Sequence, residues 1–140
     1  MIIENVPPIF QPKYTSRYPS YSSGKNMEEI FYEYFLKEHT NIQNDLIYLP
    51  IFWTSYYVIN GYGERIEPLY QWLNKLDKNK QYFTIVQYAS GIYIKEDIPN
   101  LIVFSGGGGG LNYKENSVRK ENFYSQTRYI FYGNIADYTI

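Results

Sequence analysis

Apolar residues recur at the spacing of a helix in the segment that follows Asn26. Asn26 is a favourable N-cap residue, and Glu28 and Glu29 fall in the first turn, where the helix dipole favours acids. The apolar members are Met27, Ile30, Phe31, Tyr34 and Phe35. Such a stripe is typical of a packing face. His39 falls at the C-terminal end of this helix, where we prefer a role as a partner of the helix dipole to a role in catalysis.

A second helix is predicted over residues 64–76. Its apolar residues share one face, and they are Ile66, Leu69, Tyr70, Leu73 and Leu76. Pro68 is compatible with a helix only if it lies in the first turn, where its missing N–H has no intrahelical partner to lose. The pattern therefore indicates an amphipathic helix with one packing face.

Four segments have the character of strands. Residues 46–52 and 101–104 are continuously apolar, residues 82–88 are rich in β-branched and aromatic side chains, and residues 128–132 form the last run. A continuous apolar run indicates a strand covered on both faces, as in a parallel sheet. Pro50 must lie near a strand end or on an edge, because it donates no ladder hydrogen bond. The order of elements predicts an α/β fold whose sheet has at least a parallel core.

The domain organisation follows from length and from proline and glycine positions. A chain of 140 residues fits one domain, residues 1–140. Residues 1–26 hold four of the seven prolines, which predicts an extended arm with at most a short strand at residues 2–6. Residues 105–127 show no clear element and are expected to form a long glycine-rich loop.

The composition narrows the classes of function. Lys plus Arg is 13 and Asp plus Glu is 14, so a nucleic-acid binder held by phosphate contacts is not expected. There is no Cys and one His, which argues against a metal site built from these residues. No apolar run is long enough to span a membrane, and no signal peptide is recognisable, so we expect a soluble protein of the cytoplasm. The 18 Tyr fit either an AT-rich genome or a sugar-binding surface.

Candidate chemistry follows the strands, because ligands of open α/β sheets bind beyond the carboxyl ends of the strands. The residues in these positions carry hydroxyls, aromatic rings or bare backbone, and they are Trp53, Thr54, Tyr56, Gln87, Tyr88, Ser90, Gly91, Ser105, Gly106, Gly107 and Gly108. If the strands are parallel neighbours, these segments line one rim with little formal charge. That chemistry suits a neutral polyol or sugar.

The glycine run at residues 106–110 does not match a phosphate-binding motif. A P-loop needs Lys and then Ser or Thr after the last glycine, whereas Gly110 is followed by Leu111 and Asn112. Two interpretations stay open, a flexible loop and a loop whose bare backbone closes over a ligand. No paired carboxylates stand out, and the adjacent Glu96 and Asp97 are interpreted as exposed loop residues.

Taken in order, several segments resemble a known family. They are YPSYSSGKNMEEIFYEYF, IYLPIFWTSYY, KQYFTIVQYASGI, NLIVFSGGGGG and RYIFYGNIADYTI. Together they resemble the N-terminal half of exostosin-like glycosyltransferases, especially the versions carried by large DNA viruses and some bacteria. The resemblance covers roughly residues 14–140, and the shared order of the motifs is more specific than any one of them.

The resemblance implies a Rossmann-like three-layer domain that is one half of a GT-B architecture. In such enzymes the C-terminal half holds the nucleotide-sugar and the N-terminal half faces the acceptor, commonly without a metal. Two departures from the family pattern are evident. The chain ends at Ile140, which implies that the donor-binding half is absent, and Ala89 and Ser90 stand where relatives often carry acidic residues. No cofactor is therefore expected on this domain, with a nucleotide-sugar donor only if a second half is paired with it.

Three hypotheses follow. In the first, the chain is the acceptor-side domain of a glycosyltransferase, in which Trp53 and Tyr56 stack on sugar faces. In that hypothesis hydroxyls of the sugar are bonded by Thr54, Gln87, Ser90 and Ser105, the glycine amides line the cleft, and the catalytic residue is unknown. In the second, it is a non-catalytic module that binds a glycan or a protein. In the third, it has an assembly role through an aromatic interface. The first requires a second half or a homodimer, and an exposed apolar face would accompany it.

Overall fold

Five strands pair in parallel and form the main sheet, in the order β1-β2-β3-β5-β8. The computed structural model describes residues 1–13, 25–88, 90–95, 98–106, 109–114, 123–125 and 127–130. The strands of this sheet are β1 (Ile2–Ile3), β2 (Ile47–Tyr48), β3 (Tyr82–Val86), β5 (Leu101–Ser105) and β8 (Thr127–Ile130). The predicted α/β class with a parallel core is thus confirmed.

The sheet buries both of its faces against helices or other strands. Along β3 the side chains alternate, so that Tyr82 and Val86 join one hydrophobic cluster while Phe83 and Ile85 join another. The helices α2 (Trp53–Ile59) and α3 (Glu67–Leu73) contribute to the first cluster, and α1 (Met27–Glu38) contributes to the second. The strand order runs in one direction across the described strands, whereas a doubly wound sheet reverses its order partway across.

The helix α1 begins and ends as its sequence predicts. The Asn26 side chain accepts hydrogen bonds from the backbone N–H groups of Glu28 and Glu29, at 3.0 and 3.2 Å. Its aromatic stripe packs on β2 and β3, with Phe35 and Tyr48 ring centroids 4.8 Å apart. His39 is the C-cap residue, and its Nδ1 lies 3.0 Å from the carbonyl oxygen of Met1.

The segment after β2 differs from the prediction. The sequence predicts one strand over residues 46–52, but β2 has two residues and residues 53–59 form the helix α2. Pro50 lies between the two elements, where its missing N–H disturbs no ladder. The predicted second helix is present as α3, and Pro68 occupies its first turn as required.

A second, three-stranded sheet continues beyond the main one. It contains β4 (Ile92–Ile94), β6 (Leu111–Lys114) and β7 (Phe123–Ser125), with β4 and β6 parallel and β7 antiparallel to β6. The prediction that residues 105–127 lack any element is therefore wrong. Since β3 leads into β4 and β5 leads into β6, two neighbouring strands pass side by side from one sheet into the next.

An apolar groove lies between α1 and the sheet. Its volume is about 270 Å³, and it is lined by Met1, Phe31, Phe35, Ile42, Leu46, Phe83, Ile85 and Phe104. The longest helix in the described part of the chain has 12 residues, and none there has the length and apolar character needed to cross a membrane.

Candidate functional site

The N-termini of α1 and α2 meet at the carboxyl edge of the main sheet, beside the end of β3. The amide nitrogen Nδ2 of Asn26 lies 3.3 Å from the Ser55 hydroxyl oxygen, which links the first turns of the two helices. The backbone N–H of Met27 donates to Oε1 of Gln87, just past β3. Segments that follow β2 and β3 are therefore brought together, as predicted from their positions after parallel strands.

Glu28 is the centre of this arrangement. Its Oε1 accepts from the Thr54 backbone N–H at 2.9 Å, and its Oε2 accepts from the Thr54 hydroxyl at 2.6 Å and the Gln87 N–H at 2.8 Å. The helix α2 has no capping side chain of its own, because its N-cap residue is Phe52. The Glu28 carboxylate, which belongs to α1, thus accepts a hydrogen bond from an N–H in the first turn of α2 that has no partner within its own helix.

Burial decides the electrostatics of Glu28. The residue is 1 % exposed, and this desolvation raises its pKa from 4.5 to about 7, although the bonds from Gln87 and Thr54 act in the opposite direction. The carboxylate of Glu29 adds to the increase. Sequence reasoning assigned both acids to the dipole of α1 and did not identify Glu28 as a buried bridge, since its partners lie 26 and 59 residues away.

Glu29 is also withdrawn from solvent. It is 7 % exposed, and its Oε1 has no hydrogen-bond partner among the described residues. Burial raises its pKa, and Glu33 acts in the same direction, while the nearby Lys25 and Lys13 lower it.

The two aromatic residues predicted to stack on sugars lie inside the core. Trp53 is 1 % exposed, and its indole N–H donates to the Thr84 hydroxyl at 2.8 Å. Tyr56 is buried and packs edge-on against Phe10, with ring centroids 5.4 Å apart. Because these rings are enclosed by the protein, they offer no face to a ligand in this structure.

The predicted hydroxyl and amide contacts are largely used within the fold. Thr54 is buried between Glu28 and the backbone N–H of Tyr88, which donates to its hydroxyl at 3.0 Å. Ser105 is buried, and its hydroxyl accepts from the Gly110 N–H at 3.1 Å. Ser90 is exposed, and Gly91 is buried in a turn with a φ of 87°.

The described ends of the glycine run are tied to the sheet. The Gly106 N–H donates to the carbonyl oxygen of Val86 at 2.9 Å, and the Gly110 carbonyl accepts from Ile92. A Cβ at Gly106 would lie 2.7 Å from the Met27 sulfur, so a larger residue there would displace the flexible end of the Met27 side chain. Gly107, Gly108 and Ala89 lie outside the described residues, as do Glu96 and Asp97.

Beside the carboxyl edge, four tyrosines form a group that we call the tyrosine surface, namely Tyr57, Tyr62, Tyr88 and Tyr93. The Tyr57 ring lies 5.0 Å from Tyr88 and 5.9 Å from Tyr62, centroid to centroid. Tyr62 is 54 % exposed and Tyr93 is 43 % exposed. Burial raises the pKa of Tyr57, and its neighbours Tyr88 and Tyr93 add to this, so its phenol stays protonated at neutral pH.

The turn after α2 holds Tyr62 in an uncommon backbone conformation. Gly61, Tyr62 and Gly63 have φ angles of 74°, 54° and 102°. A positive φ is uncommon for a bulky side chain, and such positions cluster at functional sites. The Tyr62 N–H donates to the Tyr57 carbonyl at 2.9 Å, which holds the turn against α2.

Gly63→Ala is expected to destabilise the protein by about 1–3 kcal/mol. The new Cβ would adopt a strained φ and would lie 2.9 Å from Cε1 of Tyr57. Urea denaturation would measure the loss, with the exposed Ser90→Ala as a control expected to stay within about 0.5 kcal/mol of the wild type. An unchanged midpoint for Gly63→Ala would contradict the described turn.

Of the predicted aromatic residues, Trp53 and Tyr56 are therefore buried, whereas Tyr88 belongs to the tyrosine surface. Tyr57 is adjacent to the buried Tyr56 in sequence, and Tyr88 was among the predicted residues. If residues 53–59 had been interpreted as a helix, Tyr57 would have been predicted to point away from the buried Tyr56, because successive residues of a helix point about 100° apart. Within the described ranges, no group of three or more His, Cys, Asp or Glu side chains is placed to hold a metal ion.

Comparisons of the chain with family models, with curated proteins and with solved structures found no match.

Proposed function

We propose that this chain is the acceptor-side domain of a sugar-transferring enzyme and that it holds a neutral glycan on the tyrosine surface. The observation that carries the proposal is the exposure of Tyr62 and Tyr93 beside Tyr57 and Tyr88. Aromatic rings with a polar tip offer an apolar face for a sugar ring and a hydroxyl for its polar groups.

The location of this surface supports the same proposal. Tyr88 follows β3 at the carboxyl edge of a parallel sheet, which is the edge where ligands of α/β proteins bind. The parallel sheet with helices packed on it supports an α/β enzyme domain, whereas a doubly wound Rossmann-like half would also have a strand order that reverses partway across. In this proposal the nucleotide-sugar is held by a second half or by a second copy of the chain.

A second candidate function is a module that binds glycan without catalysis. It is favoured by the state of Glu28, a carboxylate at this edge whose two oxygens are both engaged by protein donors. A general base must reach the proton that it abstracts, and a fully buried carboxylate does not reach it in this conformation. Assays of sugar transfer with and without a candidate second half would separate the two functions.

Binding of neutral oligosaccharides tests the proposal directly. Ligand-detected NMR with the wild-type chain is expected to show binding, and Tyr62→Ala is expected to weaken it about tenfold, which corresponds to ~1.4 kcal/mol. Tyr93→Ala should act in the same direction, because its ring is also exposed at this surface.

Tyr34→Ala is the matched control. Tyr34 is likewise exposed, but it lies on α1 and packs near Phe31. The proposal fails if no oligosaccharide binds, or if all three variants bind as the wild type does. Equal weakening by Tyr34→Ala would place the glycan elsewhere on the domain.

A further inference from the structure

Glu28 joins three elements that are distant in sequence. It belongs to the first turn of α1, and its carboxylate accepts from Thr54 in the first turn of α2 and from Gln87 just past β3. The Gln87 side chain returns to α1 by accepting from the Met27 N–H. The end of β3 is therefore bonded to α1 through one carboxylate and one amide, and the same carboxylate bonds α1 to α2.

The three groups that hydrogen-bond to the Glu28 carboxylate all donate to it. Two are backbone N–H groups, those of Thr54 and Gln87, and these cannot become acceptors. The third is the Thr54 hydroxyl, which can rotate and accept. An ionised carboxylate fits this set completely, since it only accepts. A protonated carboxyl has a hydrogen to donate, and among these three partners only the Thr54 hydroxyl can accept it.

We propose that Glu28 is a proton-controlled latch, in which uptake of a proton by the carboxylate loosens the segment that follows β3. A proton on Oε2 is donated to Oγ1 of Thr54, and the Thr54 hydroxyl hydrogen must then turn away to another acceptor. The bond from the Gln87 N–H to Oε2 loses its charge assistance, which accounts for about half the strength of such a bond.

The surroundings favour a change of protonation at physiological pH. Burial raises the pKa of Glu28 to about 7, and the neighbouring Glu29 on α1 adds to this increase. Glu28 in turn raises the pKa of Tyr48 on β2. Its contacts on α2 and after β3, Thr54 and Gln87, do not ionise. Among the described residues, the influences that lower this pKa are the three hydrogen bonds from Thr54 and Gln87. These donors and the proton therefore compete for the same carboxylate oxygens.

The latch connects to the tyrosine surface through Thr54. The Tyr88 N–H donates to Oγ1 of Thr54 at 3.0 Å, on the same atom that would receive the proton from Glu28. Tyr57 lies three residues after Thr54 in α2, and its ring packs on that of Tyr88. Loosening of residues 87–88 therefore reaches the part of the tyrosine surface nearest to the sheet edge.

NMR titration of the unliganded chain tests this inference without any sugar. With glutamate labelled at the side-chain carboxyl carbon, Glu28 is expected to titrate with a midpoint near pH 7. The amide resonances of Thr54, Gln87 and Tyr88 are expected to shift with the same midpoint. Glu33, an acid on the same helix, is exposed and pairs with Lys25 instead.

Two variants complete the test. Glu28→Gln should abolish the common midpoint of the three amides, and Glu33→Gln should leave it unchanged. The inference is overturned if Glu28 titrates at its ordinary value, or if the amides keep the midpoint near pH 7 in Glu28→Gln. If Glu28→Gln fails to fold, the wild-type titration decides alone, since carboxyl and amide midpoints must coincide. Because no sugar is present, the result is independent of glycan binding.

Discussion

Trp53→Ala is expected to destabilise the protein by about 3–5 kcal/mol, the range found when a large aromatic residue is removed from a core. The indole is fully enclosed at the start of α2, and it contacts the cluster between the sheet and the helices α2 and α3. Its removal leaves a cavity and deprives the buried Thr84 hydroxyl of a donor. For a domain whose total stability is about 5–15 kcal/mol, this is a large fraction.

Urea denaturation followed by far-ultraviolet circular dichroism would measure this loss, because the signal does not depend on the deleted indole. Trp53→Phe keeps most of the ring volume and removes the N–H, so it should cost less than Trp53→Ala. Trp72→Ala is a matched control, because Trp72 is only half-buried beside Phe10. A stable Trp53→Ala variant that had lost glycan binding would show that Trp53 serves the ligand and not the core.

Stability is expected to fall as pH rises from about 4.5 to about 7, with Glu28 contributing about 3 kcal/mol of that change. The folded-state pKa of Glu28 is raised from 4.5 to about 7, so the folded protein binds the proton more tightly than the unfolded chain does. The contribution is therefore fully present below pH 4.5 and is lost as pH rises through 7. It comes from relief of the buried charge, which outweighs the weaker local hydrogen bonds to Thr54 and Gln87 that accompany protonation. Each pKa unit corresponds to about 1.4 kcal/mol, so the shift from 4.5 to about 7 gives a contribution of about 3 kcal/mol to the free energy of unfolding.

Urea midpoints at a series of pH values would measure this dependence. Glu28→Gln should remove most of the slope, leaving the smaller part due to Glu29, whose pKa burial also raises. Glu33→Gln should retain the part of the slope that depends on Glu28, because this exposed acid pairs with Lys25 and not with the partners of Glu28. A wild-type protein that became more stable between pH 5 and 7 would contradict the described burial of Glu28.

Local patterns were sufficient for several elements. The start of α1 was predicted at Asn26 because the cap, the acidic first turn and the apolar stripe all lie within ten residues. The strands β3 and β5 were predicted within two residues of their bounds from runs of β-branched and aromatic side chains. Their parallel arrangement was expected from the order of helices and strands along the chain, and the structure confirms it.

Other elements depend on partners that are distant in sequence. Residues 53–59, WTSYYVI, have poor helix propensity and no cap of their own, and α2 is supported by a carboxylate that belongs to α1. The strands β4 and β6 have three and four residues, and each is defined by the other. Short segments of this kind carry too weak a local signal for sequence analysis to find them.

The amino-acid sequence by itself determined the α/β fold class, because the hydrophobic patterns that indicate helices and strands are properties of local segments. It also brought the segments after β2, β3 and β5 to one edge, since parallel strands end on the same side. Only the tertiary structure decided which side chains remain accessible there. Burial of Trp53, Tyr56 and Glu28, and exposure of Tyr62 and Tyr93, depend on how α1 and α2 pack together at that edge.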